Sequence, residues 1–125
     1  MDTYDPNCAP EPAEWNALDE DARVSLVVEH HRKAAVELPD EVLHATIHTI
    51  VENQLAENDQ PVVEALERLV RQGLDRHESI HAIGSVLAGH LHSMVKEGPA
   101  GSINHKGYYT RLRKLTAKRW RKGKA

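Results

Sequence analysis

A chain of 125 residues with 40% apolar and 28% charged residues has the balance of one globular domain, at a length that buries roughly 65–70% of its unfolded surface. No run approaches the ~20 apolar residues needed to cross a bilayer, and the acidic opening Met1-Asp2-Thr3-Tyr4-Asp5-Pro6 lacks the apolar stretch of a secretory signal, which points to the cytoplasm. The single Cys8 excludes an internal disulfide and a thiolate metal centre.

The formal charge of −3 hides an asymmetry: all 19 acidic residues lie at or before Glu97, whereas residues 98–125 carry nine of the 16 basic ones. With no Phe, two Trp and three Tyr, the core must come from Leu, Ile, Val and Ala, which suit interlocking helices.

In chain order, residues 1–13, with Pro6, Pro10 and Pro12, read as an extended and poorly ordered leader. A first helix begins near Asp19, a good N-cap with acids behind it, and carries Leu18, Ala22, Leu26 and Val27 on one side. It ends before Pro39, because the residue preceding proline avoids the helical region. A second helix starts at the N-cap Asp40 and runs to about Glu57, with Leu43, Ile47, Ile50, Val51 and Leu55 at helical spacing. Asn58-Asp59-Gln60 interrupts the pattern, and Pro61 suits the first turn of a third helix, where its missing N–H does no harm. That helix turns Val62, Ala65, Leu66, Leu69 and Val70 inward and stops at Gly73. A fourth begins at Asp75, where Asp75-Arg76-His77-Glu78 has capping-box spacing, and runs to about Lys96 with Ile80, Ile83, Leu87, Leu91 and Met94 inward. Gly98-Pro99-Ala100-Gly101 is a break, and a basic fifth helix covers about 105–121. The pattern predicts an all-α protein: a leader over 1–13, a small antiparallel bundle of four to five helices over 14–97, and a basic helix or tail over 98–125.

Two histidine pairs stand out. His44 and His48 lie one turn apart on the second predicted helix, and His77 and His81 do so on the fourth, inside a His-Glu-x-x-His string. Four imidazoles brought together by two packed helices make a site for a divalent transition metal, zinc first, with iron or nickel as alternatives. Glu52, one turn beyond His48, and Glu78, beside His77, are candidates for a ligand, a general base or a group that orients a ligand. Antiparallel helices would hold the two N-terminal pairs apart, so the pattern predicts that the second and fourth helices run parallel or cross steeply. His30, His31, His90, His92 and His105 have no assigned role.

The His77-Glu78-x-x-His81 string also fits a metal-dependent hydrolase in which Glu78 activates water. Against it, Glu78 has a complete explanation as a capping-box partner, and His90 and His92 lie too far along the same helix to join that metal. A di-iron site built on Glu41-x-x-His44 and Glu78-x-x-His81 lacks matching glutamates on other helices. The role left for the metal is structural or regulatory.

The stretch from Leu43 to Leu91 resembles a bacterial family known as domain of unknown function 1841. The resemblance rests on Leu43-His44 with His48, Gln54-Leu55, Asp59-Gln60-Pro61, and His77-Glu78-x-x-His81-Ala82-Ile83 with Leu87 beyond. It implies a small cytoplasmic helical protein whose signature is these histidines, and it implies no activity. The chain departs from the pattern at Glu52, where members often carry Gln.

The tail mixes cations with aromatics. Arg111, Arg113, Lys114, Lys118, Arg119, Trp120 and Arg121 could bind nucleic-acid phosphates and stack on bases. The simpler expectation is that Tyr108, Leu112 and Leu115 form an apolar stripe that docks on the acidic body, either its own or that of a partner in a homodimer.

Overall fold

The computed structural model describes residues 1–33, 40–97 and 105–124. The expected helix end before Pro39 and the break at Gly98-Pro99-Ala100-Gly101 lie outside the described residues, as does the side chain of Met94.

Every regular element among the described residues is helical: α1 (Pro12–Ala17), α2 (Glu20–Lys33), α3 (Glu41–Ala56), α4 (Gln60–Arg71), α5 (Arg76–Glu97), α6 (His105–Lys114) and α7 (Ala117–Lys124). None of them is long and apolar enough to cross a membrane. The all-α class stands, but with seven helices among the described residues rather than four to five. The two additions have local causes. Pro12 starts the short α1, with the Glu11 carboxylate accepting from the Glu14 N–H. The basic tail splits at Leu115-Thr116, where Thr116 Oγ1 caps the Arg119 N–H and starts α7.

The predicted caps are in place. Asp19 accepts from Ala22 N–H at 2.7 Å, Asp40 from Leu43 N–H at 3.0 Å, and Asp75 from Glu78 N–H at 2.7 Å. Gly73 follows α4 at φ 101°, which only glycine adopts without strain.

The main core joins Val51, Val62, Ala65, Leu69, Ile80, Ile83 and Leu87 to Tyr108, Leu112 and Leu115. A second cluster holds Tyr4, Trp15, Val27 and Ala45. Three residues of the expected apolar stripes are not inside: Leu43 is 55% exposed, Val70 47% and Leu91 37%. Val70 falls at the edge of the α4 stripe, and Leu91 lines a cavity instead.

The leader differs from expectation. Tyr4 and Pro6 are buried, and Trp15 is fully enclosed, its indole N–H donating to Asn53 Oδ1 at 2.9 Å. Three prolines limit the unfolded freedom of this segment, so little burial is needed to order it. Tyr4 supplies that burial.

The tail docks on its own body. Tyr108 and Leu112 are buried, the Tyr108 hydroxyl donates to Gln54 Oε1 at 2.8 Å, and the Tyr109 hydroxyl donates to the Asp59 carboxylate at 2.9 Å. Arg68 donates to the carbonyls of Leu112 and Leu115, satisfying the end of α6. The tail therefore shares one core with the bundle. Replacing the fully buried Leu112 with Ala should cost about 2–5 kcal/mol through the cavity it leaves. Urea unfolding checks this; a loss within about 0.5 kcal/mol, the level of a surface substitution, would mean that the tail is not part of the fold.

Candidate metal centre

Helices α3 and α5 run antiparallel, not parallel. Their partners descend in opposite directions: Glu52 meets Arg76, His48 lies beside His77 with ring centroids 5.4 Å apart, and His44 lies beside His81 at 4.7 Å. The expectation that antiparallel helices would separate the pairs overlooked their stagger. The shorter α3 faces only the first half of α5, so both N-terminal histidine pairs fall in the overlap. Close approach is eased at Gly84, where a Cβ would stand 3.1 Å from Ile47 Cγ2.

A third helix joins the site. His31, near the end of α2, is buried among the pairs, with ring centroids 4.9 Å from His44, 5.5 Å from His48 and 5.8 Å from His81. His31, His44, His48 and His81 each offer a ligand atom within 4.8 Å of the other three, a grouping able to hold a metal ion. Two nitrogens on a tetrahedral zinc stand about 3.3 Å apart, given Zn–N of about 2.0–2.1 Å. His44 Nε2 and His81 Nε2 share a hydrogen bond of 3.1 Å, a separation close to that value.

Hydrogen bonds fix which nitrogens are left with a free lone pair. His31 Nδ1 lies 2.8 Å from the Val27 carbonyl, which can only accept, so Nδ1 carries the proton and Nε2 holds a free lone pair. Tyr4 sets the other tautomer. Its hydroxyl proton goes to the Glu52 carboxylate in a short hydrogen bond, so its oxygen accepts from His48 Nε2–H at 2.8 Å. His48 therefore presents Nδ1. Both free atoms, His31 Nε2 and His48 Nδ1, are buried without a hydrogen-bond partner among the described residues. Buried polar atoms are rarely left so, and an ion fits what they lack.

Behind Tyr4, Arg76 grips Glu52 with two guanidinium bonds of 2.7 Å and also donates to the Pro6 carbonyl at 2.8 Å. Glu52 is 1% exposed, so its charge depends on this pairing. Burial first, then the Glu52 charge, pushes the Tyr4 phenol well above its ordinary range and keeps it protonated. Glu52 thus reaches the histidines through Tyr4 and orients the His48 ring, an arrangement common around metal-bound imidazole.

The remaining sequence candidates sit as follows. His77 is beside the group, 4.3 Å from His81 between ring centroids, and its Nε2 is buried and without a partner among the described residues. It is not one of the tightest four. Glu78 accepts from the Trp120 indole N–H at 2.7 Å, which ties α5 to α7. His30 packs edge-on against Tyr4, His31 and His77. His90 lies against Tyr108, and His92 lines the cavity beside the site. Arg111, Arg113, Lys114, Lys118, Arg119 and Arg121 are exposed, whereas Trp120 is half-buried.

Two participants escaped the sequence reading. His31 has no histidine one turn away, and its only mark is that it continues the Val24–Val27 face of α2 where a hydrophobe would be expected. Tyr4 carries no local signal at all.

The environment holds His44, His48, His77 and His81 neutral, the ligating form. Burial, reinforced by the neighbouring rings, lowers His77 to about 4 and His81 to about 3, and it depresses His44 and His48 as well. In the unfolded chain these groups titrate near ~6.5. Below that value the unfolded state binds more protons, so this stability is full above about pH 6.5 and is lost as the pH falls toward about 3. The urea midpoint of metal-free protein should therefore drop between about pH 7 and about pH 5, before most carboxylates titrate. A midpoint that stays flat across that window would mean the histidines are not buried as neutral groups.

Family models, curated proteins and solved structures were all compared with this chain, and none matches it.

Proposed function

We propose that the protein binds one divalent transition-metal ion through His31, His44, His48 and His81, in a structural or regulatory role in the cytoplasm. The observation that carries this reading is the pair of buried, unpartnered nitrogens, His31 Nε2 and His48 Nδ1, each left free by a hydrogen bond on the other side of its ring. An all-imidazole set suits zinc, with iron and nickel as the alternatives. His77 is an adjacent donor that supports the site. The ion would join α2, α3 and α5, and it would draw in the leader through Tyr4, so loading would stabilise the whole domain by mass action.

The resemblance to the domain of unknown function 1841 family belongs to this reading. Four of the five clustered histidines lie within the stretch that carries it; His31 lies outside. A hydrolase using Glu78 as base is less favoured, because that carboxylate accepts from the Trp120 indole. A second reading, nucleic-acid binding, is favoured by the exposed cations of α6 and α7, and it predicts an affinity that falls steeply with salt.

Metal analysis of untagged protein and thermal unfolding with and without zinc test the main reading. One ion per chain is expected. His31→Ala, His44→Ala, His48→Ala and His81→Ala should each abolish stoichiometric binding and its stabilisation, whereas His77→Ala should weaken it and His92→Ala should leave it intact. Tyr4→Phe removes only a hydroxyl and should cost about 10–100-fold in affinity, as loss of a ligand-orienting group does. Binding unaffected by His31→Ala would exclude the four-histidine site.

A further inference from the structure

A cavity of about 690 Å³ opens directly on the histidine cluster. His44, His48 and His81 form one part of its wall; His31 is not among its lining residues. Beyond these imidazoles the wall is mostly apolar, with Leu43, Ile47 and Ile80 near the cluster and then Leu91 and the Trp120 ring, while Asp40, Ser85 and His92 supply its other polar groups. Gly84 and Ala88 lie on its α5 side, leaving the space unfilled. The volume is within the range of small-molecule sites, which are mostly apolar with a few polar groups at one end. Leu43 and Leu91 are 55% and 37% exposed, large apolar side chains held at a cavity mouth rather than in the core.

The charge of the site indicates what would enter. Four neutral imidazoles leave a divalent ion with its whole charge. Glu52, the carboxylate linked to the cluster through Tyr4, is already neutralised by Arg76. The one carboxylate lining the cavity among the described residues, Asp40, caps the Leu43 N–H through Oδ1. A partly buried cation without anionic ligands favours an anionic donor, and a carboxylate oxygen is an ordinary ligand for such ions.

We propose that this cavity binds an apolar monocarboxylate, its head group reaching the metal beside His44, His48 and His81 and its hydrocarbon body lying between Leu43, Ile47, Leu91 and Trp120. The proposal rests on the metal reading above. It makes the ion a recognition element for an organic acid, and it gives the open cavity and the apolar rim a common purpose.

The test uses the full chain loaded with cobalt(II), whose visible bands report coordination, with decanoate as the probe. Decanoate should change the cobalt bands saturably. Decanol, without the anionic head, should leave them unchanged, and acetate, without the apolar body, should act only at far higher concentration. Ser85→Trp and Ala88→Trp, at exposed positions on the cavity wall, should keep one cobalt per chain and weaken decanoate at least about tenfold, or 1.4 kcal/mol. Cobalt bound stoichiometrically with bands indifferent to decanoate would overturn the proposal while leaving the metal site standing. So would decanol or acetate matching decanoate, or both tryptophan variants binding decanoate as the parent does. No cobalt binding at all would sink the metal reading and this proposal together.

Discussion

The buried Glu52 carboxylate is the constraint on which the rest of the site depends. A fully enclosed negative charge is tolerated only where it is paired and hydrogen-bonded. Arg76 meets it from the first turn of α5, and Tyr4 meets it from the leader. That single carboxylate therefore locks the overlap of α3 with α5 and holds the N-terminal segment against both. It also acts at one remove on the chemistry: by accepting the Tyr4 O–H hydrogen bond it leaves the phenol oxygen to accept from His48 Nε2–H, which fixes the His48 tautomer and leaves Nδ1 with a free lone pair.

The histidines face a different electrostatic problem. Several imidazoles within a few ångströms cannot share a protonated state, because each added charge repels the next and burial opposes all of them. The site is therefore poised as a set of neutral donors near neutral pH, at the cost of buried nitrogens with nothing to bond. Ordinary cores avoid such atoms. A structure that gathers three of the four such atoms among the described residues where α2, α3 and α5 meet, and then orients two of them by hydrogen bonds on the other side of their rings, has the features of a ligand set more than of a packing core.

Much of this was legible in the chain. The one-turn spacings of His44 with His48 and of His77 with His81 identified three of the four closest imidazoles, and the caps at Asp19, Asp40 and Asp75 placed the helices that carry them. The helix directions were misjudged, because stagger depends on the unequal lengths of α3 and α5 and on the Glu52–Arg76 pair, neither of which periodicity encodes. His31 was missed because its partners are on other helices, and Tyr4 because proline-rich composition reads as disorder even where one aromatic ring anchors it. The roles of Glu52 and Glu78 show the same limit: proximity in sequence to a histidine left ligand, general base and orienting group all open, and it is tertiary contacts that commit one to Tyr4 and Arg76 and the other to Trp120.

The central claim is that an ion is held by imidazoles alone on the protein side. X-ray absorption at the metal edge of zinc-loaded protein, free of added carboxylates, addresses it most directly. The account predicts a shell of about four nitrogens at about 2.0–2.1 Å with the outer-shell scattering of several imidazole rings. A shell dominated by oxygen or sulfur, or scattering from fewer than three imidazoles, would contradict it.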